Sequence, residues 1–238
     1  MAKERLDKLI ASTGHWSRRE VKTLVREGRV LVDGRIAGSA EEKYDAESCR
    51  IAVNGEELLL RRHTYVMLHK PAGVLSATED GRGRTVLDLL TPELRKIGVF
   101  PVGRLDKDTE GLLLLTDDGE LAHALLSPKK HVDKVYYARV SGRLTPEDCA
   151  AFEAGMTLGD GLECLPAGLE ILAAGETSEC LVTLREGKFH QVKRMLAARG
   201  KPVTYLKRLS MGSLRLDDTL APGEFRLLTA AEEAQLQR

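Results

Sequence analysis

Aromatic residues make up only 4% of the 238-residue chain, with one Trp, four Phe and five Tyr, so its core must rest on aliphatic side chains. Long apolar runs are also missing. The most conspicuous, Leu112 to Leu115, falls far short of the roughly 18 residues a membrane helix needs. Residues Lys3, Glu4, Arg5, Asp7 and Lys8 leave no room for an apolar signal stretch, so the protein is expected to work in the cytoplasm, away from membranes. The four cysteines (Cys49, Cys149, Cys164, Cys180) are scattered with no C-x-x-C pair, which predicts reduced thiols and argues against a disulfide framework or a zinc site. Net charge is lacking too, 36 basic residues balancing 36 acidic ones.

That balance hides a segregation. Between Arg185 and Arg208, eight basic residues (Arg185, Lys188, Lys193, Arg194, Arg199, Lys201, Lys207, Arg208) stand against Glu186 alone. Between Arg104 and Glu120, two basic residues (Arg104, Lys107) stand against six acids (Asp106, Asp108, Glu110, Asp117, Asp118, Glu120). A phosphate backbone responds to the local field rather than the net charge, so a polyanionic partner is not excluded. With 42% hydrophobic residues and 22 glycines, collagen-like, low-complexity and disordered classes are excluded, and the length holds one large domain or two modest ones.

The first 45 residues read as helix, turn, helix and hairpin. Leu6, Leu9 and Ile10 have helical spacing, Gly14 ends that element, and Ser17 N-caps a second helix running to about Glu27 and closed by Gly28. Arg29 to Ile36 then reads as two short strands around an Asp33-Gly34 turn. At about 100° per residue, Arg18, Lys22, Arg26 and Arg29 share one arc and Val21, Leu24 and Val25 another, so one face packs while its neighbour meets phosphates or merely solvent. Arg5-Leu6-Asp7-Lys8-Leu9-Ile10-Ala11, Ser17-Arg18-Arg19 and Gly28-Arg29-Val30-Leu31-Val32-Asp33-Gly34 together resemble the S4 RNA-binding domain. The resemblance implies RNA binding through Ser17, Arg18, Arg19, Lys22 and Arg29.

A polar, broken stretch from Glu47 to His63 suits a short hairpin or linker, placing an S4 domain and linker at residues 1–60 and a larger domain at 61–238. In the larger domain the strand candidates are Tyr65 to His69, Gly111 to Thr116, Lys134 to Val140, Glu179 to Arg185 and Gly212 to Leu216. The helix candidates are Thr85 to Leu90, Gly119 to Leu126, Pro146 to Gly155, His190 to Ala198 and Ala230 to Leu236. Strands outnumber the crossovers of a parallel sheet, which predicts an α+β domain on a mixed, mostly antiparallel β-sheet with flanking helices.

Gly103-Arg104-Leu105-Asp106-Lys107-Asp108-Thr109-Glu110-Gly111 sets an acid-rich loop before a four-leucine strand, and its acids have the spacing of an EF-hand loop. Pro101 and Gly103 deny that loop an entering helix, Leu114 offers no ligand, and four leucines belong in a buried strand. A phosphate loop at Asp80 to Thr85 fails for want of a lysine. The acid-rich stretch, together with His69-Lys70-Pro71-Ala72-Gly73, Asp117 to His123, Lys134-Val135-Tyr136 and Glu186 to Met195, is similar, in order, to the motifs of the RsuA family of rRNA pseudouridine synthases.

The resemblance implies an isomerase that converts uridine to pseudouridine in ribosomal RNA: the N-glycosidic bond breaks, the base turns and its C5 bonds the ribose, with no metal or cofactor. Asp106 matches the family's essential aspartate, acting on ribose or base; Tyr136 matches a tyrosine that stacks on the flipped base and helps remove the C5 proton; Lys193 matches the cation paired with the aspartate. Arg104 is an alternative partner or an RNA contact, Arg194 a further RNA contact, and Arg199 and Lys201 are expected to meet phosphates. Lys193 in His190-Gln191-Val192-Lys193-Arg194-Met195 resembles the small-subunit (16S) type, while other stretches also suit the large-subunit (23S) type. A non-catalytic S4-type assembly factor is the alternative from another class. The expected partner is ribosomal RNA or an assembly intermediate, met by a monomer.

Overall fold

The computed structural model describes residues 3–46, 48–127 and 130–236. Contacts divide the chain into two compact units, Met1–Thr64 with Leu90–Val99, and Tyr65–Leu89 with Phe100–Arg238.

The first unit is helix-rich. α1 (Leu6–Ala11) and α2 (Arg18–Arg26) bury Leu6, Leu9, Ile10, Val21, Leu24 and Val25 in one aliphatic cluster. α2 starts at a capping box: Ser17 Oγ accepts the Glu20 N–H at 3.3 Å, and Glu20 Oε2 accepts the Ser17 N–H at 2.6 Å, an arrangement worth about 1 kcal/mol. It ends at Gly28, φ +70°, where Gly28 N–H reaches Val25 O and Arg29 N–H reaches Leu24 O, both at 3.0 Å. That left-handed close removes Arg29 from the helix, so the predicted four-residue basic stripe stops at Arg26. Hairpins turning at Asp33-Gly34 and Asn54-Gly55 join in a four-stranded sheet, so the stretch read as a short hairpin or linker contains a hairpin: Ile51–Val53 pairs with Val30–Val32 on one side and Glu56–Glu57 on the other. α3 (Pro92–Ile97), unforeseen in the sequence, clusters with this unit.

The second unit is built on a nine-stranded mixed sheet. Its order is Gly168–Ala173, Thr177–Leu184, Lys134–Ser141, Val203–Met211, Glu110–Thr116, Tyr65–Lys70 and Phe225–Leu227, with Leu214–Arg215 and Phe100–Pro101 at the side. All these pairings are antiparallel except Val203–Met211 on Glu110–Thr116, where Lys207 faces Glu110 and Arg208 faces Gly111. The four leucines sit in mid-sheet and are fully buried; Leu112 and Leu114 pack with Tyr65, Met67 and Met211 on one face. Burial on both faces explains a continuous apolar run in place of alternation, each leucine contributing about 2 kcal/mol. α4 (Gly119–Leu126), α5 (Pro146–Ala154), α6 (Gln191–Ala198) and α7 (Ala230–Leu236) follow the sequence expectation closely.

One strand expectation, Gly212 to Leu216, is displaced, and two long strands were not expected. The long strand is Val203–Met211, and Gly212, φ +59°, turns the chain into Leu214–Arg215. The apolar residues of Val203–Met211, namely Val203, Leu206, Leu209 and Met211, are interrupted by Lys207 and Arg208 and do not alternate regularly, so the strand is not announced. Gly168–Ala173, not expected as a strand, lies at the sheet edge, and its alternation is faint because Leu169 and Ile171 are only half-buried.

Gly111 closes the fold at the site's edge. Its φ is +106°, and a Cβ there would stand 2.3 Å from Arg208 O and 2.6 Å from Arg208 N. Gly111→Ala is therefore expected to destabilise the second unit by about 3 kcal/mol or more, combining backbone strain with a clash against an immobile strand. Urea unfolding followed by circular dichroism checks this, and a midpoint equal to wild type would refute the close-approach argument.

Candidate active site

The loop from Gly103 to Thr109 is irregular backbone, ahead of the strand Glu110–Thr116. It is held from beneath by one buried cation. Lys70, 0% exposed at the end of its strand, donates from Nζ to the carbonyls of Pro71 (3.0 Å), Asp106 (3.1 Å), Lys107 (3.2 Å) and Thr109 (2.8 Å). Two further clamps complete the loop: Gly73 N–H donates to Lys107 O at 2.7 Å, and Ser76 Oγ donates to Leu105 O at 2.9 Å while accepting the Leu105 N–H at 3.1 Å. Burial pushes the Lys70 ammonium down to about 8, with the carboxylates of Asp108, Asp106 and Glu110 pulling it back up.

So anchored, the loop presents Asp106 to α6. Lys193 Nζ lies 3.2 Å from Asp106 Oδ2 and 2.5 Å from Asp108 Oδ1, and the ammonium holds the Asp108 carboxyl below its ordinary range. Glu110 turns away to accept from Tyr205 Oη at 2.7 Å, so the acids spaced like a calcium loop converge on an ammonium. Arg104 lines the same cavity as Asp106 and makes no ion pair among the described residues. His190 brings Nε2 to 3.5 Å from Asp106 Oδ1.

Tyr136 enters the cavity from the sheet. The alternation along Lys134–Ser141 buries Lys134, Tyr136, Ala138 and Val140, while Tyr137 points to the other face, edge-on to Tyr205 at 6.1 Å. Arg104, Leu105, Asp106, Thr109, Tyr136 and His190 are among the cavity's walls. It holds about 70 Å³, so an entering base must displace side chains at the rim, where His190 is the half-exposed one. The buried Thr109 hydroxyl on this wall has no protein partner among the described residues.

The α6 approach is fixed by groups that sequence reasoning passed over. Glu186, 8% exposed, accepts from Leu165 N–H at 2.9 Å and from Gln191 Nε2 at 2.6 Å, while Gln191 Oε1 accepts the Lys188 N–H at 3.0 Å. Among the basic tract, Arg194 pairs with Asp160. Arg199 is taken up by buried Asp148 at 2.9 Å, a structural ion pair where a phosphate contact had been expected.

In the first unit, Arg18, Arg19 and Lys22 line one basic cleft with Arg5 and Asp7. Asp7, 1% exposed, accepts from Arg5 Nε at 3.1 Å and Nη2 at 2.8 Å; these bonds lower the Asp7 carboxyl and fix the guanidinium. Ser17 and Arg29 stand apart: the Ser17 hydroxyl serves the helix cap, and Arg29 donates to Asn54 Oδ1 at 2.7 Å and Glu27 Oε2 at 3.0 Å.

The RNA pseudouridylate synthase family pattern matches residues 64–198, the span carrying Lys70, Asp106, Tyr136 and Lys193. The chain belongs to that family. An S4 domain pattern matches residues 4–48 of the synthase. A Bacillus subtilis protein named as an uncharacterized RNA pseudouridine synthase is 50% identical over 96% of both chains. Ribosomal small subunit pseudouridine synthase A of Vibrio cholerae is 40% identical over 98% of this chain and 99% of its own. Ribosomal large subunit pseudouridine synthase B of Bacillus subtilis is 39% identical over 98% and 96%. A crystal structure of a pseudouridylate synthase superposes with a TM-score of 0.68 at 35% identity, covering 98% of this chain and 99% of that one.

Lys70→Met keeps the side chain's length and takes the ammonium away from four carbonyls, of which Asp106 O and Lys107 O keep a backbone N–H, and is expected to cost about 3 kcal/mol. The folded value near 8 lies below the ordinary 10.5, so between these values the unfolded chain binds more protons and the Lys70 contribution to stability grows with pH. The stability of wild type minus that of Lys70→Met should thus rise from pH 8 to pH 10.5. Urea titrations showing a flat difference across that window would remove Lys70 ionisation from the account.

Proposed function

We propose that the synthase isomerises one uridine of small-subunit ribosomal RNA, with Asp106 as the catalytic carboxylate, Lys193 as its partner and Tyr136 as the group against the flipped base. The observation that carries the reading is the meeting of Asp106, from a loop, and Tyr136, from a strand, at one cavity, with Lys193 of α6 paired to the Asp106 carboxylate at 3.2 Å. Each has a separate chemical task. The Lys193 ammonium, 3.2 Å away, orients the Asp106 carboxylate. Tyr136, buried to 9% exposure, offers a flat face to a base taken out of its stack and a hydroxyl near the C5 proton. The uracil leaves through N1 and returns through C5, and its C5 proton is exchanged for one on N1, so nothing is oxidised and nothing is hydrolysed.

The residue types favour the small-subunit substrate. Lys193 within His190-Gln191-Val192-Lys193-Arg194-Met195 matches the small-subunit resemblance, and the Vibrio cholerae relative carries that name over its whole length. In this reading the protein acts as a monomer, and an rRNA substrate goes with work in the cytoplasm. Residues 1–60 act as the S4 RNA-binding domain and linker and 61–238 as the catalytic domain. Arg18, Arg19 and Lys22, with Arg5, supply phosphate contacts, and Arg104 contacts the RNA at the cavity rim. Ser17 and Arg29 act indirectly, by holding the start of α2 and the turn beyond it.

Two expected outcomes test this. Asp106→Asn is nearly isosteric and should leave fold and RNA affinity close to wild type while turnover on rRNA transcripts falls about a hundredfold or more. A variant retaining about a tenth of the rate would make another group the catalyst. Arg18→Ala and Lys22→Ala should each weaken RNA binding and reduce the slope of log affinity against log salt by about 0.7 to 0.9. Slopes equal to wild type would leave the cleft a solvated surface.

A further inference from the structure

Phe189 is the most exposed of the large hydrophobic residues, at 75%, and it stands directly before His190 on the rim of the Asp106 cavity. Its ring is stacked on the His190 imidazole, centroids 3.8 Å apart and planes 18° from parallel. One face of the phenyl ring is thus covered, and the exposure belongs to the rest. The arrangement is held at a conformational cost. His190 has φ +51°, a left-handed backbone that a non-glycine residue adopts only where its surroundings enforce it. Glu186 and Gln191 enforce it here by bracketing the turn, and the Arg194 N–H donates to His190 O at 2.9 Å to start α6. The same turn directs His190 Nε2 toward Asp106. Nothing in the packing of the second unit calls for an aromatic residue at 189.

We propose that Phe189 is a stacking platform for a nucleobase flanking the target uridine, a reading that rests on the function proposed above. Taking one base out of a stack leaves its neighbours with bare faces, and a ring presented at the cavity mouth covers one of them. Every base has a π-face, so the platform binds flanking sequence tolerantly and contributes affinity and alignment rather than readout of base edges. His190 is the positioning residue beneath it: the imidazole backs the phenyl ring on one side and faces Asp106 with its edge. Arg104, exposed on the same rim and unpaired among the described residues, is placed for the adjoining phosphate.

The test replaces the ring in two ways. Phe189→Leu keeps apolar bulk without a π-face and should lower kcat/KM on small- and large-subunit rRNA transcripts about tenfold to a hundredfold, chiefly through KM. Phe189→Trp should restore wild-type kinetics. Placed in a Trp16→Phe background it becomes the chain's one tryptophan, and its emission should be quenched when transcript binds. Wild-type kcat/KM in Phe189→Leu, or transcript binding without quenching, overturns the platform. Quenching in a protein whose wild type isomerises no uridine in either transcript overturns the functional reading instead and leaves the platform standing.

Discussion

A single ammonium organises the site from below. The carbonyls gathered by Lys70 come from Pro71 in its own motif and from Asp106, Lys107 and Thr109 in the acid-rich loop. Irregular backbone cannot serve its own carbonyls as a strand does, and a loop that must carry Asp106 at a fixed angle has no ladder to hold it. Lys70 supplies the missing donors, at the expense of a cation with no exposed surface. The energetic strain is visible in the fall of its titration to about 8. The neighbouring carboxylates offset part of that fall, so the acidity of the loop and the burial of the lysine depend on one another.

On the solvent side the same loop meets a second cation. Lys193 lies between Asp106 and Asp108, and its distance to exposed Asp108 is the shorter of the two. The segregated charge of the sequence thereby has a local meaning: the acid-rich tract and the basic tract close on each other at one point. The exposed remainder of the basic tract is partly spent on structure, since Arg194 and Arg199 are paired with Asp160 and Asp148. A zero net charge is thus compatible with polyanion binding, because the basic cleft of Arg5, Arg18, Arg19 and Lys22 is assembled locally.

What the sequence disclosed follows from which forces write patterns into it. The leucine strand, α4, α5 and the N-cap at Ser17 are local or periodic features and were legible as such. Asp106, Tyr136 and Lys193 were legible through resemblance, and the alternation in Lys134–Ser141 then separates Tyr136 from Tyr137. Lys70 was quoted within a motif, yet nothing in its neighbours reveals that three of its four partners lie more than thirty residues away. Glu186 and Gln191 were quoted within a motif but given no role, because a buried polar bracket has no periodicity. Arg29 was misplaced because helical geometry was extended through Gly28, where the backbone turns left-handed. The strand Val203–Met211 was missed because its charged residues hide a central position in the sheet.

Isomerisation leaves mass unchanged, so the direct measurement is carbodiimide mapping of pseudouridines in rRNA from cells with and without this protein. The account predicts that one small-subunit site loses its modification in the deletion strain, regains it with the wild-type chain, and stays unmodified with the Asp106→Asn chain. An rRNA pattern identical in both strains, at every site of both subunits, would contradict it.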